Sequence, residues 1–369
     1  MSQNARVLRN WVITVVLVIV FAGAGQAQQI AKYGASFLER GVGARQLGMG
    51  GTAVALTHDV TSAYWNVAGL AGMQYPQIAY MHEERFDGIV SFDYGSAAFP
   101  ITARSTFGIS FFRSGVDDIP NTLSAWDPIR DQPLPNPENF ITYFSAADYA
   151  FFVSYARSIS ERTSFGVTGK IIHRSIGSFA TAWGYSFDLG GQYQAGRFLF
   201  GMNIQDLSTM LLNWSTNQSE LSALEETFGD VVPTGVSELV LPVVRMGSGV
   251  VIPFLSATNL TLGFDTDVRF DGLRSYAVNA GDVSFHPKLG AEVSFRDVVA
   301  IRLGATDLTH SERDGLQFSP TVGAGLGIRQ VQLDYGFGNF AGTSNDLGFS
   351  HRLSFVLTLE QPSLKRSER

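Results

Sequence analysis

Apolar and polar side chains alternate along most of the chain from about residue 77 onward. In the last alternating segment, Leu353, Phe355 and Leu357 fall on one face, while Arg352 and Ser354 fall on the other. Because successive side chains of a strand point to opposite sides, each such segment is a ribbon with one apolar and one polar face. The period of two therefore predicts a protein built mainly from β-strands.

The alternating segments and the turn residues between them divide residues 77–360 into about fourteen strands. Most have roughly 9–13 residues, which is longer than the usual 5–6 and close to the length that crosses a bilayer at a tilt. We place them at 77–84, 88–99, 104–113, 148–157, 162–174, 182–194, 196–206, 237–252, 259–270, 282–296, 298–307, 316–329, 330–339 and 349–360.

The connections alternate between long and short. The long stretches 114–147 and 207–236 contrast with short turns such as 158–161 and 329–330, and only the first hairpin breaks the order. Outer-membrane barrels have short periplasmic turns and longer outer loops. A closed barrel also pairs every backbone group without water, as lipid requires. We therefore predict an all-β, transmembrane antiparallel β-barrel, with Tyr94, Tyr185, Tyr193 and Tyr335 as candidates for the aromatic girdles.

The first 27 residues have the features of an export signal. Arg6 and Arg9 precede an apolar run at 11–24, and small residues surround a cleavage site after Ala27. The alternative is an inner-membrane anchor, but the run is shorter than the roughly 20 apolar residues of a spanning helix. We therefore predict a cleaved signal peptide and a location in the outer membrane of a Gram-negative-type bacterium.

Residues 28–76 lack the alternation of the later strands. They contain a glycine-rich stretch at 41–51, followed by Asp59 as the predicted N-cap of a short helix from Ser62 to Ala71. We interpret this part as a hatch, or plug, inside the barrel lumen. The predicted organisation is a signal peptide at 1–27, a hatch at 28–76, a transmembrane barrel at 77–360 and a polar C-terminal tail at 361–369.

Composition removes several classes of function. Only 16% of the residues are charged, the net charge is −7, and there is no cysteine. An acidic chain offers no electrostatic footprint for nucleic acid, and a chain without cysteine has neither disulfides nor thiolate metal sites. The six histidines show no compact metal-ligand spacing. We expect no enzymatic activity, no cofactor, and no catalytic or metal-binding residue.

Ten charged residues fall on the inward face of the predicted strands. One interpretation is that they pair with each other and hold the hatch, and we favour it; the other is that they line a polar passage that selects solutes. They are Lys170, Asp188, Asp265, Asp267, Arg269, Glu292, Arg296, Arg302, Asp334 and Arg352.

The two long outer connections carry features that a partner could recognise. The first is rich in proline and acidic residues and includes the aromatic residues Trp126, Phe140, Tyr143 and Phe144. The second contains an amphipathic helix candidate at 219–228. Exposed aromatic residues on a long loop can form a partner surface or can pack down as a lid. The sequence does not separate these two interpretations.

The segment Gly43–Met73 resembles the N-terminal signature of PorV/PorQ-type proteins, a family related to the FadL outer-membrane transporters. That signature runs G-A-R-x-L-G-M-G-G-A and then D-x-x-A-x-x-W-N-P-A-G-L, and Val67 stands here in place of its proline. The signature residues that we assign to the hatch are Gly43, Arg45, Gly48, Gly50, Gly51, Asp59, Trp65, Asn66 and Gly69.

The resemblance implies a fourteen-stranded barrel with a hatch in its lumen, and it implies two different activities. In the PorV branch the barrel serves type IX-like protein secretion, so its partners would be secretion-machinery or cargo proteins. In the FadL branch hydrophobic small molecules pass through the barrel and leave sideways past the hatch. We take the accessory or cargo-binding role in secretion as the leading hypothesis and hydrophobic transport as the alternative. A barrel enzyme acting on lipid or peptide is a third, weaker option.

A gel-mobility experiment tests the predicted fold. We expect the protein to partition into the membrane fraction and to migrate differently with and without boiling, because a closed barrel resists detergent until it is heated. A soluble protein without a heat-dependent shift would contradict the barrel.

Overall fold

The computed structural model describes residues 36–366, except 128, 131, 223–236, 273–275, 312–314 and 340–348. The predicted signal peptide lies outside the described residues, as does most of the predicted helix at 219–228, whose residues 219–222 are helical. Within this described part, no helix has the length and apolar character needed to cross a membrane.

Fourteen antiparallel strands of the described chain form one closed barrel. The first seven are β1 (Gln77–Arg85), β2 (Val90–Pro100), β3 (Ser105–Asn121), β4 (Thr142–Ser158), β5 (Thr163–Ile176), β6 (Ala180–Ala195) and β7, which has two parts (Phe198–Gln205 and Met210–Thr216).

The second seven strands continue the same meander around the barrel. They are β8, which also has two parts (Ser237–Val240 and Val243–Leu255), β9 (Thr258–Arg269), β10 (Val283–Phe295), β11 (Val299–Ser311), β12 (Gly315–Ile328), β13 (Val331–Asn339) and β14 (Phe349–Thr358). Short additional strands occur at Trp126–Asp127, Gln132–Pro133 and Val278–Ala280.

The first and last strands close the barrel. β1 pairs with β14 from Gln77 opposite Thr358 to Arg85 opposite Ser350, and each other strand pairs with its sequence neighbours. The predicted fold class is therefore confirmed, and each of the fourteen predicted strands corresponds to an observed one. The predicted strand ends are less accurate. β3 extends to Asn121 and β4 begins at Thr142, and both of these ends lie inside the stretch 114–147 that we assigned to a loop.

The short connections lie at one end of the barrel, which we call the turn end. Here β6 joins β7 through residues 196–197, and β12 joins β13 through residues 329–330. The opposite end, the loop end, holds the connections 122–141 and 217–236. It also holds the short turn 177–179 between β5 and β6, where we had expected a longer connection, because both strands continue further than the alternation indicated.

The hatch lies in the lumen as short helices joined by turns. A 3-10 helix covers Ser36–Arg40, α1 covers Ala44–Gly48, α2 covers Ser62–Trp65, and a second 3-10 helix covers Val67–Gly72. The single helix predicted for residues 62–71 is therefore wrong. The backbone of Asn66 is extended, and its side-chain oxygen accepts a hydrogen bond from the Ala68 amide, so that a second helical segment begins there.

Asp59 also differs from its predicted role. Its carboxylate accepts hydrogen bonds from the amide and the hydroxyl of Thr61, and Thr61 rather than Asp59 is the N-cap residue of α2. Asp59 therefore stabilises the turn before the helix, because an acidic side chain readily bonds the backbone two residues further on.

Glycines on the inward face of the wall let the hatch backbone approach closely. Gly304 of β11 faces Gly50, and a Cβ atom added to Gly304 would lie 2.1 Å from the Gly50 nitrogen. Similarly, a Cβ at Gly201 of β7 would lie 2.3 Å from the Val54 carbonyl oxygen. Gly50 itself has φ 66°, a conformation that side chains other than glycine rarely adopt. Glycine on both partners therefore allows backbone-to-backbone packing.

The lumen divides into an apolar half and a charged half. On the inward face of β1–β7, the chain places apolar side chains that pack with the hatch; they include Met81, Phe92, Tyr94, Phe112, Phe152, Ile172, Met210 and Leu212. The inward face of β8–β14 carries mainly glycines and charged residues. Alternation predicts that the polar face of each strand lines the lumen. The inward apolar residues of β1–β7 correct this prediction for one half of the barrel.

Replacing Gly304 by Val should displace the hatch without preventing barrel formation. Overpacking of a tight contact costs about 1–3 kcal/mol, and here the added atoms would meet backbone, which cannot move aside. We expect a normal heat-dependent gel shift together with faster proteolysis of residues 41–73. Gly95 on the outward face of β2 is the control, since nothing lies within 4 Å of an added Cβ. Equal proteolysis of the two Val variants would contradict the contact.

Candidate functional site

An ion-pair network joins the hatch to the charged half of the wall. Arg45 of α1 donates two hydrogen bonds of 2.9 Å to the carboxylate of Glu292 on β10. Arg302 on β11 donates to Glu292 over 2.6 Å and to Asp334 on β13 over 2.7 Å. The network thus connects one hatch residue to three strands.

Burial and neighbouring charge shift the pKa of Arg45 in opposite directions. Burial by itself would lower its pKa, but the negative charge of Glu292 and the hydrogen bonds to it raise the pKa above its ordinary value. Arg45 therefore stays charged at every accessible pH, and the hatch remains paired to the wall by a permanent cation.

A second set of contacts surrounds two aspartates of β9. The Asp265 carboxylate accepts hydrogen bonds from the amides of Ala53 and Val54, over 2.7 and 2.9 Å, and so holds the middle of the hatch. Asp267 lies 2.8 Å from Lys288 and 3.7 Å from Arg245. The Arg245 guanidinium also lies over the rings of Tyr64 and Trp65, which adds cation–π contacts with α2.

A buried lysine marks the place where β7 is interrupted. Lys170 on β5 contacts Asp188 over 2.9 Å and Asp206 over 2.7 Å. Asp206 lies just after Gln205, at a positive φ of 54°, and its amide donates to Asp188. This triad belongs to the wall and stabilises the break in the strand.

Of the ten charged residues predicted to face the lumen, nine do so and Arg296 does not. Arg296 follows β10 in an exposed turn with φ 54°, and its guanidinium lies over the Phe295 ring. The predicted strand extended one residue too far, and this error placed Arg296 on the wrong surface. Arg269 pairs with Glu39 of the hatch, and Arg352 pairs with Glu83 of β1.

Sequence reasoning missed several charged residues in the lumen. Lys288 occupies a polar-face position of the predicted strand 282–296, so the alternation could have identified it. Glu83 and Arg85 point inward on β1 and are bonded to each other over 2.5 Å, but His82 and Glu84 point outward on the same strand. Because β1 has ionisable residues on both faces, alternation alone could not assign them.

Most hatch-signature residues occupy tightly packed positions. The Trp65 ring nitrogen donates to the Val42 carbonyl over 3.0 Å. The side-chain amide of Asn66 donates to the Val54 carbonyl and to the Gly191 carbonyl on β6. Gly43 has φ 83° and its amide contacts the Met81 sulfur over 3.0 Å. A Cβ at each of the remaining glycines would come within 3.5 Å of another atom, and these are Gly48, Gly50, Gly51 and Gly69.

A cavity of about 290 Å³ lies beside the hatch near the turn end. Hatch residues Arg45, Gln46 and Asp59 line it, together with Glu292 and Arg302 of the ion-pair network. Its lining is mixed in character, because Ala79, Met81 and Val356 also contribute. This internal space adjoins Arg45, the hatch arginine of the ion-pair network.

A larger apolar groove of about 660 Å³ lies against the outward face of β11–β14 and β1. The internal cavity and this external groove share five lining residues, which are Tyr80, Val299, Asp334, Ser354 and Phe355. The groove has an almost wholly apolar lining that includes Leu326, Leu333, Tyr335 and Leu353.

The wall between the two spaces is thin, and the ion-pair network covers it from inside. A Cβ at Gly325 of β12 would lie 2.5 Å from Asp334 Oδ1 and 2.7 Å from an Arg302 nitrogen. The Arg302–Asp334 pair therefore lies directly over a glycine of the groove. We call Gly325, Arg302 and Asp334 the partition.

The outward face carries the aromatic residues expected at lipid interfaces, with one exception. Tyr185, Tyr193 and Tyr335 are exposed on that face, whereas Tyr94 is fully buried inside the barrel and bonds Ser110. The prediction for Tyr94 is therefore wrong. The position is inward because the apolar residues of β2 face the hatch rather than lipid.

Among the described histidine and carboxylate side chains, no group of three or more is arranged to hold a metal ion. His82 and His351 are on the outward face, where they bond Asp93 and Tyr335 over 2.8 Å each. His286 points inward and bonds Ser284 over 2.9 Å. His58 belongs to the hatch and is exposed.

Comparison with solved structures identifies proteins of similar fold. The monoaromatic hydrocarbon channel CymD is similar with a TM-score of 0.56 and 12% identity, over 87% of this chain and 98% of that one. A FadL homologue of Pseudomonas aeruginosa has a TM-score of 0.51 and 13% identity, over 86% and 98%. The toluene transporter TodX of P. putida has a TM-score of 0.51 and 10% identity, over 87% and 99%.

These similarities establish the fold of FadL-type outer-membrane channels, since the identities are too low to show more. No protein-family model matches the chain, and no curated protein matches it. The barrel agrees with the sequence analysis. Membership of the PorV/PorQ family has no support from these comparisons.

Replacing Glu292 by Gln should weaken the attachment of the hatch. Removing one partner of a buried ion pair costs roughly 3–5 kcal/mol, and the lower end applies because the Arg45 side chain is 30% exposed. We expect a lower denaturant midpoint for release of the hatch, followed by Trp65 fluorescence. The control is Arg296 replaced by Gln, a charge removed from an exposed turn. A midpoint that moves equally in both variants would contradict the network.

Proposed function

We propose that this protein is a channel for hydrophobic small molecules across the outer membrane, without catalytic activity. The observation that carries the proposal is the thin wall at the partition. On its two sides, the internal cavity beside the hatch and the apolar groove on the lipid-facing wall share five lining residues. A molecule that reaches the cavity could leave into lipid through this thin region. Such a route suits a hydrophobic solute, because the solute would not have to enter water.

The apolar half of the lumen supports the same function. Phe37 and Leu38 of the hatch pack among inward aromatic side chains of β2 and β3, and the Phe37 and Phe112 ring centroids lie 5.9 Å apart. The similar folds of channels described for monoaromatic hydrocarbons and toluene also support hydrophobic transport.

A role in protein secretion is the second candidate. It is favoured by the hatch signature, of which Arg45, Trp65 and Asn66 are examples, because the same signature occurs in PorV/PorQ-type proteins. Under this proposal the partners would be secretion-machinery or cargo proteins rather than small molecules. A deletion strain separates the two functions, since it would lose secretion of surface proteins in one case and growth on a hydrophobic carbon source in the other.

Filling the external groove should reduce transport. Ala324 of β12 lines the groove and is exposed on the outward face, so Ala324→Trp would occupy apolar space without disturbing the lumen. We expect uptake of a radiolabelled monoaromatic compound by cells to fall several-fold, with unchanged amounts of folded protein in the membrane. Val322→Trp, on the same face of β12 but outside the groove lining, is the control. Equal uptake in both variants would contradict the proposed route.

A further inference from the structure

The chain after β14 turns back under the hatch. The Leu359 amide donates to the Pro76 carbonyl over 2.9 Å, and the Arg366 amide donates to the Gln74 carbonyl over 2.8 Å. Between these two contacts lies a 3-10 helix at Pro362–Leu364. Gln74 and Pro76 belong to the link between the hatch and β1. We call residues 361–366 the strap, because it is tied by its backbone to this link.

Arg366 is the side chain by which the strap enters the barrel. It is 9% exposed, whereas the strap residues before it are exposed. Its guanidinium donates one hydrogen bond to the Ala71 carbonyl of the hatch and another to the Thr106 hydroxyl of β3. One side chain therefore connects the last helical turn of the hatch to the wall at the turn end.

The contacts of Arg366 favour a reversible attachment. Both acceptors are uncharged, and within the described residues its Nε atom has no hydrogen-bond partner. Burial lowers the pKa of Arg366, as expected for a cation removed from water. Arg45, at the other end of the hatch, is held by a carboxylate instead. Since bonds between two charged groups are the stronger ones, Arg45 is held more firmly than Arg366.

We propose that the strap is a releasable latch that closes the turn end of the lumen. While Arg366 is bound, the end of the hatch at residues 67–76 stays against β3. When Arg366 leaves, this end separates from the wall, and water reaches the lumen from that side. The inference goes beyond the proposed function, because it concerns the seal whichever molecule the channel carries.

Hydrogen exchange and ion conductance of the purified full-length protein test the latch. For Arg366→Gln we expect amide exchange at residues 67–76 to become about tenfold faster, as for lost hydrogen bonds to a charged group. Conductance in planar lipid bilayers should increase as well. A truncated chain ending at Glu360 should show the same two changes. Arg296→Gln makes the same substitution in an exposed turn outside the strap and should change neither.

The latch would be overturned if exchange or conductance of Arg366→Gln equalled that of the unaltered protein, or if Arg296→Gln had the same effect. The heat-dependent gel shift shows for each variant that the barrel has formed, and if the truncated chain fails to fold, the point variant still decides. Because neither measurement uses a hydrophobic solute, failure of the latch and failure of the proposed transport function are distinguishable.

Discussion

The backbone of a membrane-spanning sheet must pair all its N–H and C=O groups without water, and this constraint governs the rest of the structure. Pairing of β1 with β14 removes the two edges that an open sheet would expose to lipid. Closure then gives every strand one face toward lipid and one toward an enclosed lumen. Most outward side chains are accordingly apolar, and many inward ones contact the hatch.

The hatch is attached by two kinds of contact that depend on each other. Inward glycines such as Gly304 and Gly201 allow its backbone to reach the wall, and this close approach brings Arg45 and Asp265 to their partners. A buried charge without a partner would be costly, so each ion pair is stabilising only in the docked arrangement. The lumen charges therefore act mainly as attachment points for the hatch, although the Lys170 triad serves the wall itself.

The unequal halves of the lumen connect the structure to the proposed function. Apolar residues on β1–β7 pack against Phe37 and Leu38, while charged residues and glycines on β8–β14 hold α1 and the middle of the hatch. The apolar contacts bury the hatch against one half of the wall, whereas the charged pairs fix its position against the other. The partition lies in the charged half, where small inward residues make the wall thin.

The sequence by itself determined the barrel, its strand number and the presence of a hatch, because the alternation of side chains and the lengths of strands are local properties of the chain. The same alternation placed most lumen charges correctly, and its error at Arg296 came from a strand end, where a single residue reverses the side. Only the tertiary structure decided which charges meet, as for Arg45 with Glu292. It also decided that Tyr94 faces the hatch and that Arg366 lies beneath it. These positions depend on contacts between residues far apart in the chain, which local sequence patterns do not predict.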